Sequence, residues 1–317
     1  MPRPFDLLVV GELNVDIIIN ELHGFPVIGK EIFADNLRVV MGSSSAIFAA
    51  NAAALLLKVA FAGKLGNDAY GRLILDQLKQ RNINTEAVDV SEEWATGATI
   101  ALNYGNDRAM ITYPGAMAHF GMEDINPNLL NQARHLHVSS VFLQPCLKPN
   151  IVTLFKSAKE SGMSTSLDPQ WDPAEKWDIE WEELLPFVDY FLPNASEIMA
   201  ITGSRDIESA LNKLSSKAQT IVVKKGIEGA LMFNKGKYLH QPVFLNNEVV
   251  DTIGAGDSFD AGFVAGLLYG LSEEESLKLA ALCGAINTTA PGGTGAFTHI
   301  NEIRNISIKK FNTVFPL

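Results

Sequence analysis

Short apolar runs that stop at a glycine or a polar residue alternate with segments of helical spacing along most of the chain, and this rhythm restricts the fold more than any other feature. Phe5 to Gly11 is almost continuously apolar and ends in glycine, as a strand buried on both faces does. The pattern returns as strand His135 to Ser139, helix Ile151 to Ser161 and strand Met163 to Asp168. Tyr190-Phe191-Leu192 and Thr220 to Lys224 follow as strands, and helices come after Gly256 and Ser272. Repeated strand-then-helix order predicts an α/β fold with a mostly parallel central sheet and helices on both faces. Two stretches break the rhythm. Ile17 to Val40 reads as two short antiparallel strands, and Thr96 to Tyr104 with Arg108 to Tyr113 reads as a hairpin about Gly105-Asn106-Asp107. Together they predict a small sheet covering a ligand. Asn234-Lys235-Gly236 marks one further hairpin.

With 317 residues and 47% hydrophobic composition, the expectation is one domain over 1–317, with lid strands inserted at about 14–40 and 96–114. A net charge of -11 argues against nucleic acid or an anionic membrane as partner. Cys146 and Cys283 are too few and too far apart for a disulfide framework or a zinc site. The run Ala46 to Ala62 is interrupted by Asn51 and Lys58, so it reads as a buried helix leading into a strand; no signal peptide is evident, and a cytoplasmic protein is expected. Val59 to Ala62 is read as that strand, Gly63 to Asp68 as the loop after it, and Asp68 as the cap of a helix from Ala69 to Arg81. Gly24 to Lys30 imitates a Walker A loop, but Glu31 follows where Ser or Thr is needed, no helix follows, and Pro26 sits inside.

The chemistry concentrates in Asp251-Thr252-Ile253-Gly254-Ala255-Gly256-Asp257-Ser258-Phe259. Gly254 and Gly256 permit a tight turn and let an anion approach the main-chain N–H groups, while Phe259, Phe263, Val264, Leu267 and Leu268 recur at helical spacing behind it. A glycine turn at a helix N-terminus is a phosphate cradle. Asp257 stands where phosphate would also sit, so it is either a helix cap or a base. Asp16 follows the first strand, at the edge where open α/β sheets bind ligands; alone it would read as a turn residue.

The string from Asp251 to Phe259 resembles the C-terminal signature of the ribokinase-like carbohydrate kinases, the PfkB family, and the likeness runs from Gly11 to about Gly295. It implies a ribokinase-like three-layer α/β/α fold with a small β lid that often supports a homodimer, and transfer of the γ-phosphate of ATP to a hydroxyl, usually primary, of a sugar or sugar acid. By resemblance Asp257 is the general base, and Gly254, Ala255 and Gly256 form the anion hole. Asp16 and Asn14 meet the sugar. Gly42 and Ser43 match the sugar-binding glycine motif. Arg108, the one cation of the expected lid hairpin, reads either as an ordinary solvated arginine or as a group that reaches an acceptor carboxylate or phosphate when the lid closes. Asn194 and Glu197 match the Asn-x-x-Glu motif that tends Mg²⁺ through water; by themselves they read as a helix cap. Lys224, Gly226 and Thr252 match the nucleotide side, and Asn287 and Gly293 the adenine wall. Asp251 and the Ile253 carbonyl match a loop that in some members holds a monovalent cation such as K⁺. Asp168 resembles a position near the transferring phosphate, with Gln170 in place of a common Asn.

One departure concerns the acceptor. The family motif Gly-Gly-x-x-x-Asn becomes Gly42-Ser43-Ser44-Ser45-Ala46-Ile47, so an apolar side chain stands where the family's amide touches the sugar. Asn51, one turn on, is read as structural rather than compensating. A nucleoside acceptor walled by Phe33, Ile47 and Tyr104, or a non-catalytic sugar- or nucleotide-binding regulator, are the alternatives.

Overall fold

The computed structural model describes residues 3–104 and 107–317, except for the side chains of 107 and 108. The chain begins with β1 (Phe5–Val10), β2 (Asn14–Leu22), β3 (Ala34–Met41), α1 (Ser44–Ala54), β4 (Val59–Gly66), α2 (Ala69–Gln80) and β5 (Asn84–Ser91). Next come β6 (Gly97–Tyr104), β7 (Asp107–Tyr113), β8 (Ala133–Ser139), α3 (Ile151–Glu160), β9 (Ser164–Asp168), α4 (Trp181–Leu184), β10 (Tyr190–Phe191), α5 (Ala195–Thr202) and α6 (Ile207–Leu214). The last part holds β11 (Thr220–Lys224), β12 (Ala230–Asn234), β13 (Lys237–Gln241), α7 (Ala255–Leu268), α8 (Glu273–Asn287) and α9 (Ile300–Phe311).

The large sheet runs β13-β12-β11-β10-β9-β8-β1-β4-β5. Its pairs from β5 to β11 are parallel, and β12 and β13 continue it as an antiparallel hairpin. Side chains alternate across it. In β1, Leu8 and Val10 face a core with Leu154, Phe155, Ile198 and Leu211 of α3, α5 and α6, while Leu7 and Val9 face one with Phe48, Val264 and Leu282 of α1, α7 and α8. Parallel strands finish on one side of a sheet, so the residues ending β8, β9 and β11 (Ser139, Asp168 and Lys224) share an edge with the loop after β1.

The lid is a second sheet, β3-β2-β6-β7, in which two antiparallel hairpins join through a parallel β2–β6 pair. The register places Val15, Ile17 and Ile19 on one face with Leu37, Val39 and Met41, and with Ala98, Ile100, Leu102 and Ile111. Asp16, Ile18 and Asn20 lie on the other. Of the hairpin turn expected at Gly105-Asn106-Asp107, Gly105 and Asn106 lie outside the described residues.

Two local readings change, the extent of β4 and the start of α7. β4 continues to Gly66 where a loop from Gly63 was expected, because it pairs along β5, a strand whose mixed Asn84-Thr85-Glu86 start hides its period. A side chain at Gly63 would meet the Gly11 carbonyl at 2.6 Å, so glycine here serves close strand packing. The long apolar run is, as expected, a helix leading into a strand: α1, a turn through Leu56 at φ 69, then β4. α7 starts at Ala255, which draws Asp257 into its first turn.

Candidate active site

Gly254 adopts φ 74, a left-handed conformation that glycine enters without penalty, and it begins α7 with no side-chain cap. Among the described residues nothing bonds the Gly256 and Asp257 N–H groups, which therefore face outward at the positive end of the helix. Asp257 is 7% exposed, and the Ser44 hydroxyl donates to its Oδ1. Gln170 Nε2 is 3.2 Å from the same oxygen, 2.9 Å from Ser44 Oγ and 2.8 Å from Asp168 Oδ2. Burial pushes the Asp257 carboxyl up to about 8, with the Ser44 hydrogen bond opposing and the charge of Asp168 adding to the rise.

Beneath it lies a cluster of charges. Lys224 Nζ sits 2.7 Å from Asp168 and 2.9 Å from Asp260, both carboxylates being almost fully buried. Burial alone would lower the lysine, but the charges of Asp168, Asp260 and Glu197 outweigh it and hold Lys224 firmly as an ammonium. A single cation cannot balance every carboxylate around it. Burial pushes Asp260 well up despite Lys224, and burial followed by the charge of Asp168 pushes Glu197 up to about 7.

Asn194 and Glu197 form a reciprocal cap on α5: Asn194 Oδ1 accepts from Glu197 N at 2.9 Å, and Glu197 Oε2 accepts from Asn194 N at 2.8 Å. A backbone bridge joins Asn194 to Lys224, so the cap abuts the charge cluster. Asp251 Oδ1 accepts from Ile253 N at 3.0 Å and its Oδ2 from Gly292 N at 2.8 Å. The Ile253 carbonyl accepts from Asn287 Nδ2 at 2.6 Å. Both groups matched to a monovalent cation are thus engaged in fastening the two glycine loops. Asn287 is fully buried beneath the turn, its Oδ1 accepting from Ser258 Oγ at 3.0 Å, so it stands behind the wall rather than in it.

On the acceptor side, Asn14 donates to Thr99 Oγ1 at 2.9 Å and lies 3.3 Å from Asp16 Oδ1. Gly42 presses on Asp16 so closely that any Cβ there would enter the carboxylate. Ser43 takes φ 72 at the start of α1, where its hydroxyl accepts from Ala46 N at 3.0 Å and donates to the Glu12 carbonyl at 2.6 Å. Arg108 lies opposite Asn103 on β7, and its side chain is outside the described residues.

Ile47 lies under the glycine turn. It is 3% exposed and packs on Gly254 and Gly293; the Cβ of any larger residue at 293 would be 2.7 Å from Ile47 Cγ1. Asn51 is fully buried and donates to Ser258 Oγ at 2.8 Å and the Gly293 carbonyl at 2.9 Å, which is the structural role expected of it. Ser44, Glu12 and Asp260 were absent from the candidates. Glu12, 1% exposed, accepts from Ser45 Oγ and N, and burial raises its carboxyl. A buried carboxylate leaves no periodic trace, although a serine run at a helix start was a usable signal for Ser44.

Two cavities flank the turn. One of about 310 Å³ is lined by Lys224, Gly226, Thr252, Gly256 and apolar residues including Val249 and Ala285. The other, of about 930 Å³, lies between the lid and Asp251, Thr252, Ile253 and Gly292. Residues 5–299 match the pfkB family of carbohydrate kinases.

The chain belongs to the pfkB carbohydrate kinase family.

It is accordingly a phosphotransferase with an alcohol acceptor. It is 28% identical over 299 residues to the ribokinase of Lactococcus lactis subsp. lactis, covering 93% of this chain and 95% of that one. It is 26% identical to a 5-dehydro-2-deoxygluconokinase of Bacillus anthracis, covering 90% and 89%. The structure of Arabidopsis thaliana ribokinase complexed with ribose and ATP superposes with a TM-score of 0.78 at 26% identity, covering 92% and 94%. The pfkB likeness bears out the ribokinase-like α/β fold with its lid. Among the described residues, no helix is long and apolar enough to cross a membrane.

Proposed function

We propose that this pfkB kinase transfers the γ-phosphate of ATP to a hydroxyl, most simply a primary one, of a sugar or sugar acid, with Asp257 as general base. The observation that carries the reading is the buried Asp257 carboxylate in the first turn of an uncapped helix, directly beyond a left-handed glycine. The acceptor proton passes to Asp257 as its oxygen attacks the γ-phosphorus; the bond to the bridging oxygen breaks and ADP leaves with that electron pair. Charge developing on the phosphoryl oxygens meets the N–H groups of the turn. The smaller cavity, with Lys224 and Gly256 at one end and apolar walls at the other, suits a nucleotide whose phosphates point at the turn. Asp16 and Asn14 would orient the acceptor.

Among the described residues no three acidic, histidine or cysteine side chains converge on a metal position. That fits Mg²⁺, which keeps several waters and rides on nucleotide phosphates. Asn194 and the buried Glu197 would hold those waters, and the ion would neutralise phosphate charge. The apolar lid face, with Leu37 62% and Ile111 63% exposed, supports a homodimer in which a second copy covers it. Replacing Leu37 and Ile111 with Lys should then give a monomer by light scattering; an unchanged mass would remove this interface.

The reading is tested by ADP release over a panel of sugars, sugar acids and nucleosides with Mg²⁺. Asp257→Asn should lower turnover on the best acceptor by ~10²-fold or more while ATP affinity stays within a few-fold. Near-normal turnover would exclude Asp257 as base.

A further inference from the structure

The site-facing side of the lid carries a cation in addition to Asp16. Asp16, Ile18 and Asn20 of β2 share that face, and the register sets Val40 opposite Asp16 and Arg38 opposite Ile18. Arg38 is therefore the diagonal neighbour of Asp16, roughly 7–8 Å away, a span of the order of a six-carbon acceptor. Arg38, Asn20, Asn36 and Asn103 line the cavity of about 930 Å³, with Asp251 to Ile253 and Gly292 opposite. Asn103 Nδ2 donates to Asn20 Oδ1 at 2.6 Å, which fixes the two amides as a pair beside the guanidinium.

The surroundings leave this guanidinium available. Among the described residues no carboxylate lies within 4.0 Å of Arg38, although the chain has 36 acidic residues against 25 Lys and Arg. Asp251 across the cavity is engaged by two backbone N–H groups, and Glu21, the other carboxylate on the wall, makes no ion pair with Arg38. A protein of net charge -11 repels anions unless a local cation receives them. An arginine fork matches the two oxygens of a carboxylate or phosphate, and its strength grows when a ligand and a lid shut out water.

We propose that Arg38 binds an anionic group, carboxylate or phosphate, carried by the acceptor at the end remote from the hydroxyl that is phosphorylated. The proposal rests on the sugar-kinase reading and narrows its substrate to acidic sugars or sugar phosphates. Asp16 then holds hydroxyls at the near end and Arg38 the charge at the far end, so length and charge are selected together.

The test compares kcat/KM, by ADP release with Mg²⁺ and ATP, for neutral sugars, sugar acids and sugar monophosphates, in the full chain and in Arg38→Ala and Arg38→Lys. The expectation is that an anionic acceptor exceeds its neutral counterpart by at least tenfold. Arg38→Ala should raise KM for that acceptor by fivefold or more with little change in kcat or in KM for ATP, and Arg38→Lys should restore part of the loss. Whether acids or monophosphates lead identifies the anion. A neutral sugar as best acceptor, or a loss in KM for ATP instead, overturns the proposal while leaving the kinase reading intact. If ATP binds but no acceptor class is turned over, both fall. Thermal unfolding of the variants separates a binding loss from a folding defect.

Discussion

At the scale of single residues, the site turns on how Asp257 is held. Its carboxyl is pushed up to about 8, so in the free enzyme it is mostly protonated at pH 7 and ready as a base only above about pH 8. kcat/KM should therefore rise about tenfold per pH unit on the acid side and level off above about pH 8. Ser44 donates to the carboxylate and so opposes the rise. Ser44→Ala should move the limb to higher pH and cut kcat/KM at pH 7 by about three- to tenfold, while activity at high pH stays nearer wild type. An unmoved limb would make Ser44 a packing residue. The place of Asp257 was legible, because a Gly-x-Gly-Asp string before helical spacing marks a helix start, while its reading as a base came from the family resemblance. Asp168 and Gln170 were placed near it only by the family resemblance, and Ser44 was missed: the three come from distant segments, and the fold brings them together at Asp257.

At the scale of elements, α1 was legible as a buried helix, but the loops that its turns meet were not. Replacement of the family's amide by Ile47 read as a change in acceptor contacts, and the contact that Ile47 makes in the fold is with the glycine loops. Ser44 begins α1 beside Asp257, whereas Ile47 points under the turn and fills the space that makes glycine necessary at 293. Periodicity located the helix without saying which loop its next turn would meet. The contact predicts a specific coupling. Gly293→Ala would drive a methyl into Ile47 and should cost about 1–3 kcal/mol, and it should lower kcat by displacing the turn. Ile47→Val removes the Cδ1 atom nearest that methyl, so the double variant should be more stable than the summed single effects. Urea unfolding of the four proteins measures this, and strict additivity would mean that the two residues do not press on each other.

At the scale of the whole molecule, strand alternation gave the order of layers, whereas β5 and the parallel join within the lid depend on tertiary pairing that local pattern does not encode. The sheet interior also carries polar groups that no periodicity announces. His135 and His137, each 1% exposed, face Ser164 and Ser166 across β8 and β9, with His135 Nδ1 2.7 Å from Ser164 Oγ and His137 Nδ1 2.8 Å from Ser166 Oγ. His137 stacks on Phe48 at 3.6 Å between ring centres. Burial, assisted by Lys159 and Arg134, lowers His135 from 6.5 to about 3. A depressed histidine is protonated in the unfolded chain first, so stability is lost as pH falls from about 6.5 toward 3. The raised carboxyls work the other way: Asp257 and Glu197, at about 8 and 7, favour the folded state more as pH falls through those values. Total stability can therefore look flat near neutrality while large opposing terms cancel. Comparison with His135→Gln isolates the histidine. The variant should be less stable at pH 7, and its deficit should shrink by about 1.4 kcal/mol for each pH unit below about 6. Chemical denaturation at pH 7, 6 and 5 follows that deficit, and a constant gap would mean that water or a charge reaches His135 inside the sheet.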